Sequence, residues 1–512
     1  MFLAGTGADQ QKGKLSLVLL EAIANSEFNG GITMKREFDA IIVGGGPGGL
    51  AIGSLLAREG VSSAIIEKDA VLGGRYRSID FHGCRVDSAT HFLVSLSGST
   101  ERTATYEYFS ELGLPVEQKM VPWTIGLVSK ERPGQVDYFS MDPKLGPANF
   151  FEFFAFATGV EMGEASKKEI MRIAKLTADM SQEECRKLVN VRFGDWIDQY
   201  IEDPIAQAVL HGMGPIVGAP PTQINFGFVA NAFRTFLDAG APMPWYPKHA
   251  TLENAFIAPL VKYYTDHGGE VITNKAVRSI TIEDGKAKGV VAQDHQNRFM
   301  LEEYSAPVVI CAIPIFEAVA KSILGREFLT EDWAESIRRC AEMAGPDLSG
   351  FFLLREDVLP RDGYGWIHIF DNDYGVPTCV GDITLGSYIN AVEPPGKQLV
   401  TSMIPGTSEL NPFGLTGQMD KVREAHARWK ESVEKGFPGF NEAIEYEGMN
   451  LQLNFTRYAY AVVPVELDIQ SPNIQGLYFA GDSIRSVGAQ MSDKCFELAF
   501  PLCERVLEYV RS

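Results

Sequence analysis

One stretch constrains this chain more than any other. Phe38–Val43, an apolar strand-like run, leads directly into Gly44-Gly45-Gly46-Pro47-Gly48-Gly49, and a helical pattern follows to about Arg58. Ser62–Glu67 then reads as a second strand, which completes a βαβ unit. Gly44, Gly46 and Gly49 fall on the spacing G-x-G-x-x-G. The first glycine permits the tight turn, the second lets a pyrophosphate approach the backbone, and the third, helped by Gly53, lets helix and strand pack closely. Pro47 and Gly48 complete the loop, and the helix start offers unpaired N–H groups and a positive dipole end to phosphate oxygens. Glu67 closes the second strand 18 residues after Gly49, placed to accept hydrogen bonds from ribose hydroxyls, with Lys68 beside it. The unit is one that binds a dinucleotide.

Which dinucleotide is decided farther along. Leu72-Gly73-Gly74-Arg75 places two more glycines and an arginine where close approach to phosphate suits them. Near the far end, Gly476–Ala480 reads as a short strand running into Gly481-Asp482, a carboxylate placed to bind a ribityl hydroxyl. A last helix, starting near Gln490 and Met491, would aim its N–H groups at the N1/O2 edge of a flavin. A third glycine cluster, Gly212 to Gly218, follows a helical run with the wrong spacing, so no second nucleotide site is expected.

Taken together, the Gly44–Gly53 fingerprint, Glu67, Gly73-Gly74-Arg75 and Gly481-Asp482 resemble the flavin-containing amine oxidase / phytoene desaturase superfamily. Tyr246-Pro247-Lys248, the helix behind it, and His267–Val271 with Val277 look most like the phytoene desaturase branch. The resemblance covers roughly a third of the chain and implies FAD as cofactor, with Val277 meeting the adenine through its backbone. It also implies hydride transfer between an apolar substrate and flavin N5, chemistry in which the cofactor carries the hard step. Three departures stand out. The family's Asp-x-Gly is Asp87-Ser88-Ala89 here, Ser483–Ala489 replaces a glycine- and proline-rich loop, and Pro501 interrupts the last helix.

The nucleotide-type segments lie at both ends of the chain and in its middle. The expected fold is therefore α/β, a discontinuous Rossmann-type FAD-binding domain with an inserted α+β substrate domain. Residues 1–34 read as an N-terminal extension, and 35–110, 245–320 and 470–512 as the cofactor domain. The intervening 111–244, mostly helices and loops, and 321–469 build the substrate domain. The Asp284-Gly285 pair between two β-rich runs marks a hairpin.

A net charge of −20 argues against a nucleic-acid partner, which needs a basic footprint, and against electrostatic docking on anionic lipid. A local apolar patch is still free to touch a membrane peripherally. Seven scattered cysteines without a C-x-x-C, and eight scattered histidines without metal spacing, indicate no disulfide framework and no metal, and fit a cytoplasmic setting. No apolar run reaches the ~18–20 residues of a membrane-spanning helix.

The substrate side is less distinct. Phe150, Phe151, Phe153, Phe154 and Phe156 would form either an apolar tunnel or, as the blander and preferred reading has it, domain core. His91, Lys248, Tyr458 and Tyr460 are weak catalytic candidates, each with a structural alternative at least as good. Three functions compete: a desaturase or saturase acting on a C–C bond, an amine oxidase releasing peroxide, and a lipid-binding escort without redox chemistry. Without a second nucleotide domain, electrons would leave the flavin to oxygen, a quinone or another diffusible acceptor.

Overall fold

A computed structural model describes residues 36–90, 93–95, 103–129, 132–142, 147–212, 224–239, 243–297, 300–343, 347–361, 365–371, 378–391, 393–404, 418–452, 466–485, 487–489 and 493–512. The cofactor half is built on five short strands. They are β1 (Ala40–Val43), β2 (Ser63–Ile66), β3 (Glu270–Ile272), β4 (Val308–Cys311) and β5 (Leu477–Phe479). All pair in parallel, in the order β3-β2-β1-β4-β5. Strands buried on both faces need continuous apolar sequence, which Ala-Ile-Ile-Val and Val-Val-Ile-Cys provide. Helix α1 (Pro47–Arg58) leaves β1 through the glycine turn, and helix α2 (Asp493–Val510) packs against it.

Strand order reverses between β1 and β4, and a crevice opens at such a switch point beyond the carboxyl ends of the strands. The strands of this sheet come from three separated parts of the chain. A four-stranded sheet flanks it, formed by Arg36–Glu37, Leu301–Ser305, Lys286–Asp294 and Lys275–Glu283. Its Asp284-Gly285 turn has φ of 49° and 70°, the left-handed pair that a two-residue hairpin requires.

The substrate half centres on a seven-stranded sheet ordered Ile444–Gln452, Asp347–Leu354, Gln398–Ile404, Thr378–Leu385, Trp366–Asp371, Trp123–Val128, Val136–Ser140. Two of these strands correct the reading of 111–244 as helices and loops. Trp123–Val128 pairs in parallel with Trp366–Asp371, a partner more than 200 residues away, and Val136–Ser140 forms a hairpin with it. Gln118–Met120 is a further strand of that stretch, paired with Met243–Pro247, and its described helices include Pro147–Thr158, Glu164–Ala178, Phe193–Tyr200 and Pro204–His211.

Phe151, Phe153 and Phe154 are buried, with Phe153 edge-on to Trp123 at 5.1 Å and Phe151 edge-on to Phe233 at 5.9 Å. They are core, as the blander reading held. Pro501 does not end the last helix, which runs through it to Val510. The proline sits on the exposed face, where water can take the carbonyl it leaves unbonded. Residues 1–34 lie outside the described residues. Among the described residues, no helix is long and apolar enough to cross a membrane, and no cluster of metal-ligating side chains occurs.

Candidate functional site

A cleft of about 370 Å³ opens at the switch point, lined by the glycine turn, the segments following β2, β4 and β5, and the strand Lys275–Glu283. Its floor is backbone. A Cβ on Gly49 would lie 2.0 Å from the Gly44 carbonyl oxygen, and one on Gly48 would lie 3.0 Å from Gly481 Cα. Helix α1, the turn before it and the segment after β5 therefore touch through glycines alone. By contrast, a Cβ on Gly46 would meet nothing nearer than Gly74 Cα at 4.0 Å, so the space in front of it is cleft. Gly481, with φ of 107°, likewise faces open space. Gly73 and Gly74 also take positive φ, so the chain turns sharply beside Gly46. An open cradle over glycine N–H groups at a helix start fits a pyrophosphate.

Glu67 is buried just beyond β2, and its carboxylate accepts from the Gly45 N–H at 2.8 Å and the Asp69 N–H at 3.0 Å. These bonds fix the acid against the glycine turn while leaving further lone pairs for a ribose. Lys68 lines the same end of the cleft and pairs with Asp69. Val277 lines it too, beside a register break between Val277 and Ser279 that frees backbone groups from the ladder.

Arg75 and Asp482 meet across the cleft. One guanidinium nitrogen donates to both carboxylate oxygens at 2.9 Å. Burial opposes the charge on Arg75, but the neighbouring carboxylate outweighs it and holds the guanidinium above its ordinary range. The sequence separately suggested a phosphate contact and a ribityl contact for these residues; it did not show that they are partners.

Past Asp482, the loop that replaces the glycine- and proline-rich segment is tied down by side chains that sequence reasoning missed. Glu466 accepts from the Val487 N–H, Lys494 donates to the Val487 carbonyl at 2.7 Å, Asn231 donates to the Gly488 carbonyl, and Glu497 accepts from the Ala489 N–H. Lys494 is buried, and burial lowers its ammonium to about 8. Buried polar residues inside apolar helical runs are the available signal, but nothing local says which carbonyl each will meet.

Asp87 has a structural place instead of a cleft-lining one. It is fully buried and accepts from the Tyr246 hydroxyl, from Ser78 Oγ at 3.0 Å and from the Leu252 N–H at 3.2 Å. It thereby joins the segment after Arg75 to the strand Met243–Pro247 and to the start of the next helix. Burial pushes its carboxyl up to about 7 despite those donors.

Lys248 is the one weak catalytic candidate that falls among the described residues. Its side chain is 52% exposed and pairs with Glu117 at 3.2 Å, outside the described cleft lining. His91, Tyr458, Tyr460, Gln490 and Met491 lie outside the described residues.

Residues 47–506 match the family described as flavin containing amine oxidoreductase, which is most of the chain. The chain belongs to that family. This flavoprotein is therefore a FAD-dependent oxidoreductase, and the cleft fits its cofactor. It is 46% identical over 61 residues to a 4,4'-diapophytoene desaturase of Methylomonas, a match covering 12% of each chain. It is 21% identical to the prolycopene isomerase of Daucus carota, over 91% of this chain and 80% of that protein. The flavoprotein also shares its fold with a putrescine oxidase mutant, with a TM-score of 0.61 at 17% identity, over 94% of this chain and all of the other. Family membership among oxidoreductases sets aside the escort reading.

Proposed function

We propose that this flavoprotein catalyses hydride transfer between a C–C bond of an apolar, isoprenoid-like substrate and its bound FAD, as a desaturase or saturase. The observation that carries this reading is the state of the ionisable groups lining the cleft. Among the described residues, Arg75 is paired with Asp482, Lys321 with Glu317, and Lys275 with Asp294 and Glu302. Cys495 also lines the cleft, but burial pushes its thiol up, away from the nucleophilic thiolate. Most charged groups of the described lining are thus paired, with Glu67 and His295 among the exceptions, and such a site suits a reaction whose redox chemistry FAD supplies when bound. The likeness to a desaturase and to a prolycopene isomerase supports an apolar polyene as substrate.

In this reading, the N–H groups of Gly46–Gly49 hold the pyrophosphate, with Gly73 and Gly74 giving it room. Glu67 and Lys68 bind the adenosine ribose, the Val277 backbone meets the adenine, and Asp482, released in part from Arg75, takes a ribityl hydroxyl. Gln490 and Met491 complete the set as the sequence assigns them, to the flavin ring. Electrons pass on to a diffusible acceptor, oxygen or a quinone. The protein works in the cytoplasm and takes its substrate from a membrane surface.

An anaerobic visible spectrum tests the proposal, recorded before and after adding a panel of polyenes and amines. Bleaching by a polyene is the expected result. Bleaching by an amine alone would replace it with the amine oxidase reading.

A further inference from the structure

The last helix begins with a charge that its position disfavours. Helix α2 starts at Asp493, and Lys494 stands in its first turn, where the backbone dipole presents its positive end. The side chain is buried, away from the water that would screen it. A cation is therefore opposed twice here, by burial and by the dipole. Burial lowers the ammonium to about 8, which leaves it charged at neutral pH. The adjacent Asp493 carboxylate is turned elsewhere, accepting from the Thr105 N–H at 2.8 Å and from the Thr105 hydroxyl.

What the ammonium touches is the segment that follows Asp482. It donates to the Val487 carbonyl at 2.7 Å, and Glu466 accepts from the N–H of the same residue at 2.9 Å. Asn231, on the helix Phe226–Ala239 of the substrate half, donates to the Gly488 carbonyl at 3.1 Å. Glu497 accepts from the Ala489 N–H at 3.1 Å. A Cβ on Gly488 would lie 2.6 Å from the Glu497 carboxylate, so the bare glycine lets that acid reach in. Ser483 before this segment and Cys495 after it both line the cofactor cleft. Lys494 is thus next in sequence to a residue of the cleft wall. The charged groups that act on it are Glu497 and Glu466, which favour the ammonium, and Arg485 and Arg186, which oppose it. Two carboxylates against two guanidiniums leave the ammonium's own charge uncancelled.

We propose that Lys494 is a positioning residue that favours the reduced flavin, by fixing Val487–Ala489 beside the cleft and by setting a positive charge behind it. Such a charge is unfavourable by itself and becomes favourable when the neighbouring cofactor gains negative charge on reduction. A fixed charge in a site closed to water needs no rearrangement at that moment, which is what makes it effective. The inference concerns the reduction potential of the flavoprotein and holds whichever substrate the cleft takes.

The test is the midpoint potential of the full chain loaded with FAD, measured anaerobically by equilibration with a reference dye during slow reduction. Lys494→Met keeps a long unbranched side chain and removes the charge. It should lower the potential by at least about 30 mV, a tenfold shift of the two-electron equilibrium toward oxidised FAD. Glu497→Gln keeps an oxygen for the Ala489 N–H and removes a carboxylate that acts on Lys494, so it should raise the potential. Opposite shifts separate the charge from damage to the loop, which would move both variants alike. An unchanged potential in Lys494→Met with FAD bound, or shifts of the same sign in the pair, would overturn the assignment. If Lys494→Met fails to hold FAD, Glu497→Gln decides alone, by a rise or its absence. Loss of FAD from both would also overturn it and make the segment a device for retaining the cofactor.

Discussion

The two halves of this molecule use different materials to make a site. The cofactor half works with backbone: glycines at 44, 46, 48, 49, 74 and 481 bring three chain segments close enough to leave a cradle of N–H groups. The substrate half works with side chains that meet across strands far apart in sequence, as the Asp382 carboxylate does with the Trp366 indole and the Met403 N–H. A backbone site tolerates no added atom and is written in short contiguous motifs. A side-chain site tolerates change in proportion to what each group contributes, and it is written nowhere in particular.

The sharpest contrast comes from removing that tolerance. Gly49→Ala sets a Cβ 2.0 Å from the Gly44 oxygen, where neither helix nor turn can yield. We expect purified protein without FAD, read as the loss of visible absorbance, and destabilisation of about 3 kcal/mol or more. Ile383→Val, equally buried in the substrate sheet, should cost only about 1 kcal/mol and keep the cofactor. Equal outcomes would erase the distinction.

Asp87 ties separate segments of the cofactor half together and tests how firmly they are joined. Its carboxyl is raised from 3.8 to about 7 in the folded protein, so the folded state binds the proton more tightly than the unfolded state. Its contribution to stability is therefore full below about pH 4 and is lost progressively as pH rises through about 7. Three pH units correspond to about 4 kcal/mol, and local relaxation should leave about 2 kcal/mol of it. Urea unfolding between pH 4 and pH 8 should show that decline, and Asp87→Asn should flatten it. An unchanged slope in the variant would mean that other groups set the pH dependence.

A smaller effect probes whether the cofactor half is backbone throughout. Glu67 is a buried acid held there by two backbone N–H groups, those of Gly45 and Asp69. Glu67→Ala should weaken FAD binding by about 10- to 100-fold, the worth of hydrogen bonds to a charged group, measured by titrating apoprotein. Full affinity would place the adenosine elsewhere.

Legibility follows the same division. The turn at Gly44, the acid at Glu67, the Asp284-Gly285 hairpin and the strand before Gly481 were readable because each is fixed by neighbours within a few residues. Trp123–Val128 was not, since its β character depends on Trp366–Asp371, and residues 111–244 otherwise look helical. The Arg75–Asp482 pair spans 407 positions, and each residue had a sensible separate reading. Pro501 was readable as lying inside the last helix, but not how the helix accommodates it, since the face it occupies is a tertiary fact.

The least effect is expected at Lys248, a weak catalytic candidate whose side chain is exposed and paired away from the described cleft lining. The residues before it are structural: Tyr246 reaches Asp87, and the Pro247 carbonyl accepts from Asn390. Lys248 lies just past the end of the strand Met243–Pro247 and meets Glu117, itself 73% exposed. An ion pair so placed is screened by water and salt and is worth less than about 1 kcal/mol. Lys248→Ala should therefore retain FAD, keep its Tm within a few degrees and leave the rate of flavin bleaching by polyene unchanged. A large fall in that rate, with FAD still bound, would mean that the exposed strand end moves into the site during turnover, and that the substrate half is assembled only when substrate is present.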